Sequence, residues 1–215
     1  MKNDTLEWRN LVVAREGAPL TAPMSQQVRA GDILAIRGPN GSGKSSLLKT
    51  IAGLLRPGSG EVLWNGEAMR RHPHYPRNLV YIGHRRGIEP SMSVLAHVKF
   101  WARTFGQKEL IEAALFFFDL EDIAKVPVAT LSAGWQQRVA LTRLILQPGS
   151  LWLLDEPTAA LDEAATTLLN SLMNTRCEQG GIILIASHMP LQGDRVQTLD
   201  LGEQMKGADN DFLLH

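Results

Sequence analysis

Apolar positions recur along the chain in short runs that end in glycine or polar residues. Leu47, Leu48, Ile51 and Leu55 fall at the spacing of one helix face, which predicts a helix over residues 44–55. Other short runs are bounded by turn residues, and they predict strands at residues 6–14, 33–37, 61–64, 79–82, 151–154 and 182–186.

The middle of the chain follows a different pattern. Helical spacing of apolar residues predicts helices at about 94–101, 109–118 and 135–146, and a further helical segment between the strands at 151–154 and 182–186. Strands and helices alternate at both ends of the chain. We therefore expect one α/β domain with a mostly parallel sheet, whose core comprises about 1–90 and 148–215 and is interrupted by a helical subdomain at about 91–147.

Composition places few further limits on function. The 215 residues are 44% hydrophobic and 20% charged, and 22 Lys plus Arg balance 22 Asp plus Glu. This balance gives no reason to expect a nucleic-acid partner. The single cysteine, Cys177, has no partner for an internal disulfide. Residues 1–8 are too polar for a signal peptide, and the apolar runs are far shorter than the roughly 20 residues of a membrane span. If the protein acts at a membrane, we expect another chain to hold it there.

A glycine-rich turn follows the strand predicted at 33–37 and opens the helix predicted at 44–55. Its sequence is Gly38-Pro39-Asn40-Gly41-Ser42-Gly43-Lys44-Ser45, and Ser46 follows it. This is the P-loop pattern, in which backbone N–H groups and a helix N-terminus surround phosphate oxygens. We expect Lys44 to reach the β- and γ-phosphates of a bound nucleotide and Ser45 to bind Mg²⁺. The alternative is a glycine-rich turn with a solvated lysine.

Two carboxylates, Asp155 and Glu156, follow the apolar strand at 151–154. We expect this strand to lie next to the P-loop strand. Asp155 would then hold Mg²⁺ through water, since Mg²⁺ prefers oxygen ligands and keeps part of its hydration shell. Glu156 would orient or deprotonate the water that attacks the γ-phosphate. The alternative is an ordinary turn after a strand, with both acids solvated.

A third motif comes shortly before these acids, with the sequence Leu131-Ser132-Ala133-Gly134-Trp135. It resembles the signature motif of the ATP-binding cassette (ABC) family, which is usually Leu-Ser-Gly-Gly-Gln. The resemblance implies that Ser132, Ala133 and Gly134 face the γ-phosphate of ATP bound to a second subunit. Ser132 is also a plausible helix N-cap, which is a purely structural explanation for it. Ala133 and Trp135 depart from the usual pattern.

The ABC resemblance extends to further positions in the expected order. Asp162 follows Ala160-Leu161 as in the D-loop, which implies a place at the dimer seam. His188 resembles the switch histidine that contacts the γ-phosphate. His84 occupies the position of a usual glutamine; because imidazole is a poor Mg²⁺ ligand, we expect its neutral form to accept a hydrogen bond from a metal-bound water. Arg15 stands near the position of the aromatic residue that usually stacks on adenine, and its planar guanidinium either stacks there or is solvated.

As a whole, the resemblance implies a P-loop NTPase cassette with a mostly parallel core, an N-terminal antiparallel β part and an inserted helical subdomain. It also implies ATP and Mg²⁺ as cofactors and an ATP-dependent homodimer. Within the family, three features resemble the ATP-binding subunits of the cytochrome c maturation, or haem exporter, system. They are the shortness of the chain after the strand at 182–186, the sequence Tyr81-Ile82-Gly83-His84, and Arg138-Val139-Ala140-Leu141 in the signature segment.

This branch resemblance implies integral membrane subunits as partners, at the cytoplasmic face of a bacterial inner membrane. There, ATP hydrolysis would drive the release of a haem-loaded chaperone. We expect no direct haem binding, because His72 and His74 lie in a basic, proline-rich loop. Two other classes stay open: the ATP-binding subunit of another ABC transporter, and a soluble ABC ATPase without a membrane partner.

Overall fold

Two large β-sheets, one two-stranded sheet and a group of helices build the described part of the fold. The computed structural model describes residues 4–69, 75, 79–187 and 195–202. The strands are β1 (Thr5–Val12), β2 (Ala14–Arg15), β3 (Ala18–Pro19), β4 (Met24–Arg29), β5 (Ile33–Arg37), β6 (Ser59–Trp64), β7 (Glu67–Ala68), β8 (Leu79–Ile82), β9 (Leu151–Asp155), β10 (Ile182–Ala186) and β11 (Val196–Asp200). The α-helices are α1 (Lys44–Ile51), α2 (Val94–Phe105), α3 (Ile111–Phe117), α4 (Ala133–Leu141), α5 (Arg143–Leu146) and α6 (Glu163–Glu178).

The central sheet is parallel and has the strand order β11-β5-β10-β9-β8. All five residues of β9 and of β10 are buried, as expected for parallel strands that are covered on both faces. The expectation that the acidic strand lies next to the P-loop strand is wrong, because β10 lies between β9 and β5. The uniformly apolar β10 takes the central position, where it pairs with both neighbours.

Alternate residues of β9 pack into two separate cores. Leu151 and Leu153 face a core that also contains α1 and the second sheet, whereas Trp152 and Leu154 face a core shared with α2, α4 and α6. This alternation follows from the two-residue period of a strand. The core on the α1 side therefore supports the start of α1, and the opposite core supports the helices.

The second sheet is antiparallel, with the order β4-β1-β6-β7. Leu6 and Trp8 of β1 are fully buried. The alternating residues Glu7 and Arg9 lie on the outer face of the sheet and form an ion pair with each other. One apolar face and one polar face are typical of an antiparallel sheet that covers a core. Together with the parallel sheet and the helices, this confirms the predicted α/β cassette fold.

Helices α2 to α5 lie between β8 and β9 along the chain. Ser93 caps α2 by accepting a hydrogen bond from the backbone N–H of Ala96 at 3.2 Å. Val98 and Trp101 of α2 share with Leu144 of α5 the core that also contains Trp152 of the sheet. Within the described part of the chain, no helix combines the length and apolar character that a membrane crossing requires.

In two of the predicted helices, local hydrogen bonds explain why the limits in the structure differ from the predicted ones. The helix predicted at 44–55 ends at Ile51, because the chain turns at Gly53 and the Leu54 N–H bonds to the Lys49 carbonyl at 2.8 Å. This six-to-one bond is typical of a helix C-terminus. The helix predicted at 135–146 divides at Thr142, whose hydroxyl donates to the Val139 carbonyl at 2.8 Å and competes with the helical hydrogen bonds.

The sequence pattern did not predict β11. This strand pairs in parallel with β5 at the edge of the central sheet. Three of its five residues, Gln197, Thr198 and Asp200, are polar, and none of the five is fully buried. An edge strand of this kind has no continuous apolar run to mark it.

Candidate nucleotide-binding site

The turn between β5 and α1 has the backbone conformation of a phosphate-binding loop. Gly38, Gly41 and Gly43 have φ values of 141°, 86° and 94°, which residues with a Cβ atom adopt only under strain. A Cβ at position 38 would also lie 2.6 Å from the Ser42 hydroxyl. The glycines therefore allow the loop to curl tightly and to present backbone N–H groups next to the N-terminus of α1.

Lys44 is held inside this loop. Its Nζ donates to the carbonyls of Gly38 at 2.8 Å and Pro39 at 3.1 Å, and the residue is only 8% exposed. The ammonium group is thus fixed on the concave side of the turn. A nucleotide phosphate in the loop would meet this positive charge directly.

Ser45 and Asp155 come together although 110 residues separate them in sequence. The Ser45 hydroxyl donates to Oδ1 of Asp155 at 2.9 Å. Asp155 is 3% exposed, and its Oδ2 is buried without a hydrogen-bond partner among the described residues. A buried carboxylate oxygen without a partner is costly, and a hydroxyl and a carboxylate are oxygen ligands that suit Mg²⁺. The donor set therefore fits a magnesium ion.

Glu156 adopts a backbone conformation that is unusual for its residue type. Its φ is 52°, in the left-handed region, and its N–H donates to the carbonyl of Ala186 at the end of β10 at 2.9 Å. Strained backbone of this kind persists only where the surrounding structure enforces it. This geometry turns the side chain of Glu156 into the same cavity that Lys44 and Ser45 line.

The cavity has a volume of about 560 Å³, which is within the usual range for small-molecule sites. Of the predicted site residues, it is lined by Asn40, Gly41, Gly43, Lys44, Ser45, Ser46, His84, Asp155 and Glu156. Arg15 lies at its edge on the β2–β3 hairpin, and its side chain is 72% exposed. Gly38, Pro39 and Ser42 belong to the loop but do not line the cavity.

Two further lining residues, Leu20 and Ala159, were missed by sequence reasoning. Leu20 packs beneath Gly43, where a Cβ would come within 3.6 Å of its side chain. Neither residue has a chemical group or a spacing that would have revealed it. The predicted His188 lies outside the described residues.

Tyr81 lies close to the acidic end of the site. Burial, with a smaller contribution from the Asp155 carboxylate, raises the pKa of Tyr81 to about 12. Its hydroxyl is buried without a hydrogen-bond partner among the described residues. The phenol therefore stays protonated at physiological pH and adds no charge beside Asp155.

The signature residues Ser132, Ala133 and Gly134 do not line this cavity. Ser132 caps α4 and accepts from the Trp135 N–H at 3.4 Å. Trp135, which departs from the usual motif, places its ring 4.7 Å from the guanidinium carbon of Arg138. The indole thus supports a buried arginine through a cation–π contact.

Asp162, the predicted seam residue, is fixed within its own chain. It caps α6 by accepting from the Ala165 N–H at 2.8 Å, and both of its carboxylate oxygens accept from Arg138 Nη2 at 2.9 Å. The Ala165 amide first and the Arg138 guanidinium second lower the pKa of Asp162. Arg138 thereby links α4 to the start of α6.

At Gly134, α4 passes close to the loop after Glu156. A Cβ at this position would lie 2.6 Å from the Ala160 carbonyl oxygen. We therefore expect Gly134→Ala to push the two segments apart, to cost about 1–3 kcal/mol of stability and to lower the rate of the ATP hydrolysis that the sequence predicts. Thermal melting measures the first effect and phosphate release the second.

Ala133→Gly is the matched control for this substitution, because position 133 lies in the same helical turn and is exposed. We expect a cost of about 1 kcal/mol or less from the loss of helix propensity. Equal melting temperatures for Gly134→Ala and the unsubstituted protein would contradict the close packing against Ala160.

Comparison with known proteins gives a consistent result. The model of the ABC transporter family matches residues 21–159. The cytochrome c biogenesis ATP-binding export protein CcmA of Escherichia coli (strain K12) is 40% identical over 187 residues, which are 86% of this chain and 90% of that protein. CcmA 2 of Cupriavidus metallidurans is 39% identical over 198 residues, with 90% and 94% covered.

A solved structure agrees with these sequence matches. A putative ABC transporter ATP-binding protein from Pyrococcus furiosus superposes with a TM-score of 0.78 at 28% identity, over 91% of this chain and 97% of that one. Since the family model covers more than half of the chain and the relatives match over most of their length, the chain belongs to the ABC transporter family, among the cytochrome c biogenesis ATP-binding export proteins CcmA, and is an ATP-binding cassette ATPase.

Proposed function

We propose that this cassette binds ATP in the loop 38–45 and hydrolyses it with Glu156 as general base, to drive a membrane complex of cytochrome c maturation. The observation that carries the proposal is the contact between Ser45 and Asp155 at 2.9 Å, in a cavity that Glu156 also lines. The names of the curated relatives support the cytochrome c assignment.

Each part of the site has a separate role in this proposal. The loop amides and Lys44 hold the phosphates, and Ser45 and Asp155 hold Mg²⁺, which neutralises charge on the phosphate oxygens. Glu156 accepts a proton from the attacking water. The imidazole of His84, when it is neutral, accepts a hydrogen bond from a metal-bound water. The exposed Arg15 guanidinium, which lies 3.9 Å from the Glu16 carboxylate, is proposed to stack on adenine, and His188 is proposed to contact the γ-phosphate.

A second copy of the chain would complete each site. Ser132, Ala133 and Gly134 lie outside the cavity of their own chain, and Ser132 and Ala133 are exposed. We propose that they meet the γ-phosphate held by the other copy, with Asp162 at the seam. Binding of ATP then favours the closed dimer, because a ligand shifts an equilibrium through its different affinity for the two states.

The helical part at about 91–147 is proposed to pass this closure to integral membrane subunits. Exposed Phe100, with Met92 and Lys99 nearby, borders a surface cavity on α2 that suits such contact. The site of action would be the cytoplasmic face of a bacterial inner membrane, with haem handled by partner proteins and no nucleic acid involved. The alternative assignment is the ATP-binding subunit of another ABC transporter or a soluble ABC ATPase.

Complementation tests the proposed function. In bacterial cells that lack their own copy of this gene, we expect the protein to restore haem-stained c-type cytochromes and to co-purify in mild detergent with integral subunits of that system. Glu156→Gln should co-purify equally well and restore no cytochromes. Normal cytochrome levels in cells without any copy of the gene, or co-purification with an unrelated permease, would favour the alternative assignment.

A further inference from the structure

One face of α4 contacts the loop that begins at Glu156. Gly134, Gln137 and Arg138 lie at positions i, i+3 and i+4 of the helix, which share one side. Gln137 donates to the carbonyl of Pro157 and Arg138 to the carboxylate of Asp162, while a Cβ at Gly134 would lie 2.6 Å from the carbonyl oxygen of Ala160. Two side chains of a single helix face therefore hold the segment that follows Glu156, and the helix backbone passes close to it at Gly134.

Gln137 makes the contact that lies nearest to Glu156. Its Nε2 donates to the Pro157 carbonyl at 2.9 Å, and its Oε1 accepts from Arg86 Nε at 2.9 Å. Arginine only donates and a carbonyl only accepts, so both partners require the same orientation of the amide. Gln137 is 5% exposed, and both ends of its buried amide have partners.

These contacts hold Glu156 from both sides. Its own N–H bonds to the Ala186 carbonyl at 2.9 Å, and the next residue, Pro157, accepts from Gln137. Because the φ of Glu156 is 52°, the neighbouring backbone must be held in place for the side chain to keep its direction. Resting on the proposed role of Glu156 as general base, we propose that Gln137 is a positioning residue for Glu156 and that Arg86 fixes the orientation of the Gln137 amide.

Arg86 extends this arrangement toward His84, two residues earlier in the chain. Its Nη1 donates in addition to Gln136 Oε1 at 3.2 Å, so the arginine spans two adjacent glutamines of α4. Side-chain hydrogen bonds thereby join α4 to the turn after Glu156 and to the segment that leaves β8. A shift of residues 84–86 would release the Gln137 amide and with it the Pro157 carbonyl.

The adjacent Gln136 provides a matched control. It also accepts from Arg86, but its Nε2 donates to the carbonyls of Val128 and Leu131 and not to Pro157. Gln137→Met and Gln136→Met thus remove the same chemical group from the same helix. Only Gln137→Met frees the carbonyl that follows Glu156.

Steady-state ATPase assays of the two variants test the proposal. For Gln137→Met we expect kcat to fall by between about tenfold and about a hundredfold, as for a misplaced catalytic group, with the KM for ATP changed less than about threefold. Gln136→Met should keep kcat within about twofold. Arg86→Met should also lower kcat. Because Arg86 is partly exposed, this variant keeps the test usable if Gln137→Met fails to fold.

Thermal melting and ATP binding separate positioning from a merely structural role. Equal melting temperatures for the two glutamine variants, together with a loss of kcat in Gln137→Met alone, support the proposal. Wild-type kcat in both Gln137→Met and Arg86→Met overturns it. If kcat falls equally in Gln136→Met and Gln137→Met, the effect belongs to the whole helix and the proposal is wrong. A failure of the proposed function is distinguishable, because Glu156→Gln would then hydrolyse ATP at the unsubstituted rate.

Discussion

Glu156→Gln is expected to lower kcat for ATP hydrolysis by about a hundredfold to about ten-thousandfold, the range for loss of a general base, while ATP still binds. The amide keeps the size of the side chain in the cavity but accepts protons poorly. In the proposed cycle hydrolysis ends the closed state, so we expect the variant to remain a dimer in the presence of ATP and Mg²⁺. Phosphate release measures the first effect, and size-exclusion chromatography with nucleotide measures the second.

Glu112→Gln is a suitable control, because Glu112 is exposed on α3 and is not among the residues that line the cavity. It should keep the kcat of the unsubstituted protein. Unchanged turnover in Glu156→Gln would show that another group activates the water, and the site would then have to be assigned again.

Lys44→Met is expected to raise the Kd for ATP by about a hundredfold or more, which corresponds to about 3 kcal/mol for loss of strong charge-assisted hydrogen bonds. The Nζ of Lys44 lies 2.8 Å from the Gly38 carbonyl and 3.1 Å from that of Pro39. Among the residues that the structure describes, no other lysine lines the cavity, so the positive charge of Lys44 is lost from the phosphate loop without replacement by another lysine. Fluorescent nucleotide titration measures the Kd.

Lys49→Met on the same helix removes an equal charge at its C-terminal end. We expect the Kd of this control to stay within about threefold of the unsubstituted value. Equal affinities for Lys44→Met and the unsubstituted protein would contradict the placement of the phosphates in the loop 38–45.

Local features of the site could be predicted from the sequence. The glycines of residues 38–43 mark a turn between a strand and a helix, and the structure has β5 and α1 on either side of it. Asp155 and Glu156 follow an apolar run, and the structure places both at the end of a buried strand. In each case the chemical groups and the structure that carries them are adjacent in sequence, so a short window contains the whole signal.

Features that depend on distant pairing could not be predicted. The position of β10 between β5 and β9 is set by which apolar strand pairs with which, and no short window contains that information. The same holds for Gln137, which bonds to a carbonyl 20 residues further along the chain. A glutamine on a helix carries no local sign of such a partner, and the polar edge strand β11 carries no sign of its pairing with β5.

The alternation along β9 has a consequence for how this protein tolerates changes of length. Asp155 is two residues beyond Leu153 and four beyond Leu151, so all three share the α1 side of the sheet. Removing or adding one residue within the strand would reverse the parity and turn the carboxylate away from Ser45, even if every remaining residue stayed apolar. Exchanges among large aliphatic residues in β9 preserve that parity. The direction of the Asp155 carboxylate therefore depends on the number of residues that precede it in the strand more than on the identity of their side chains.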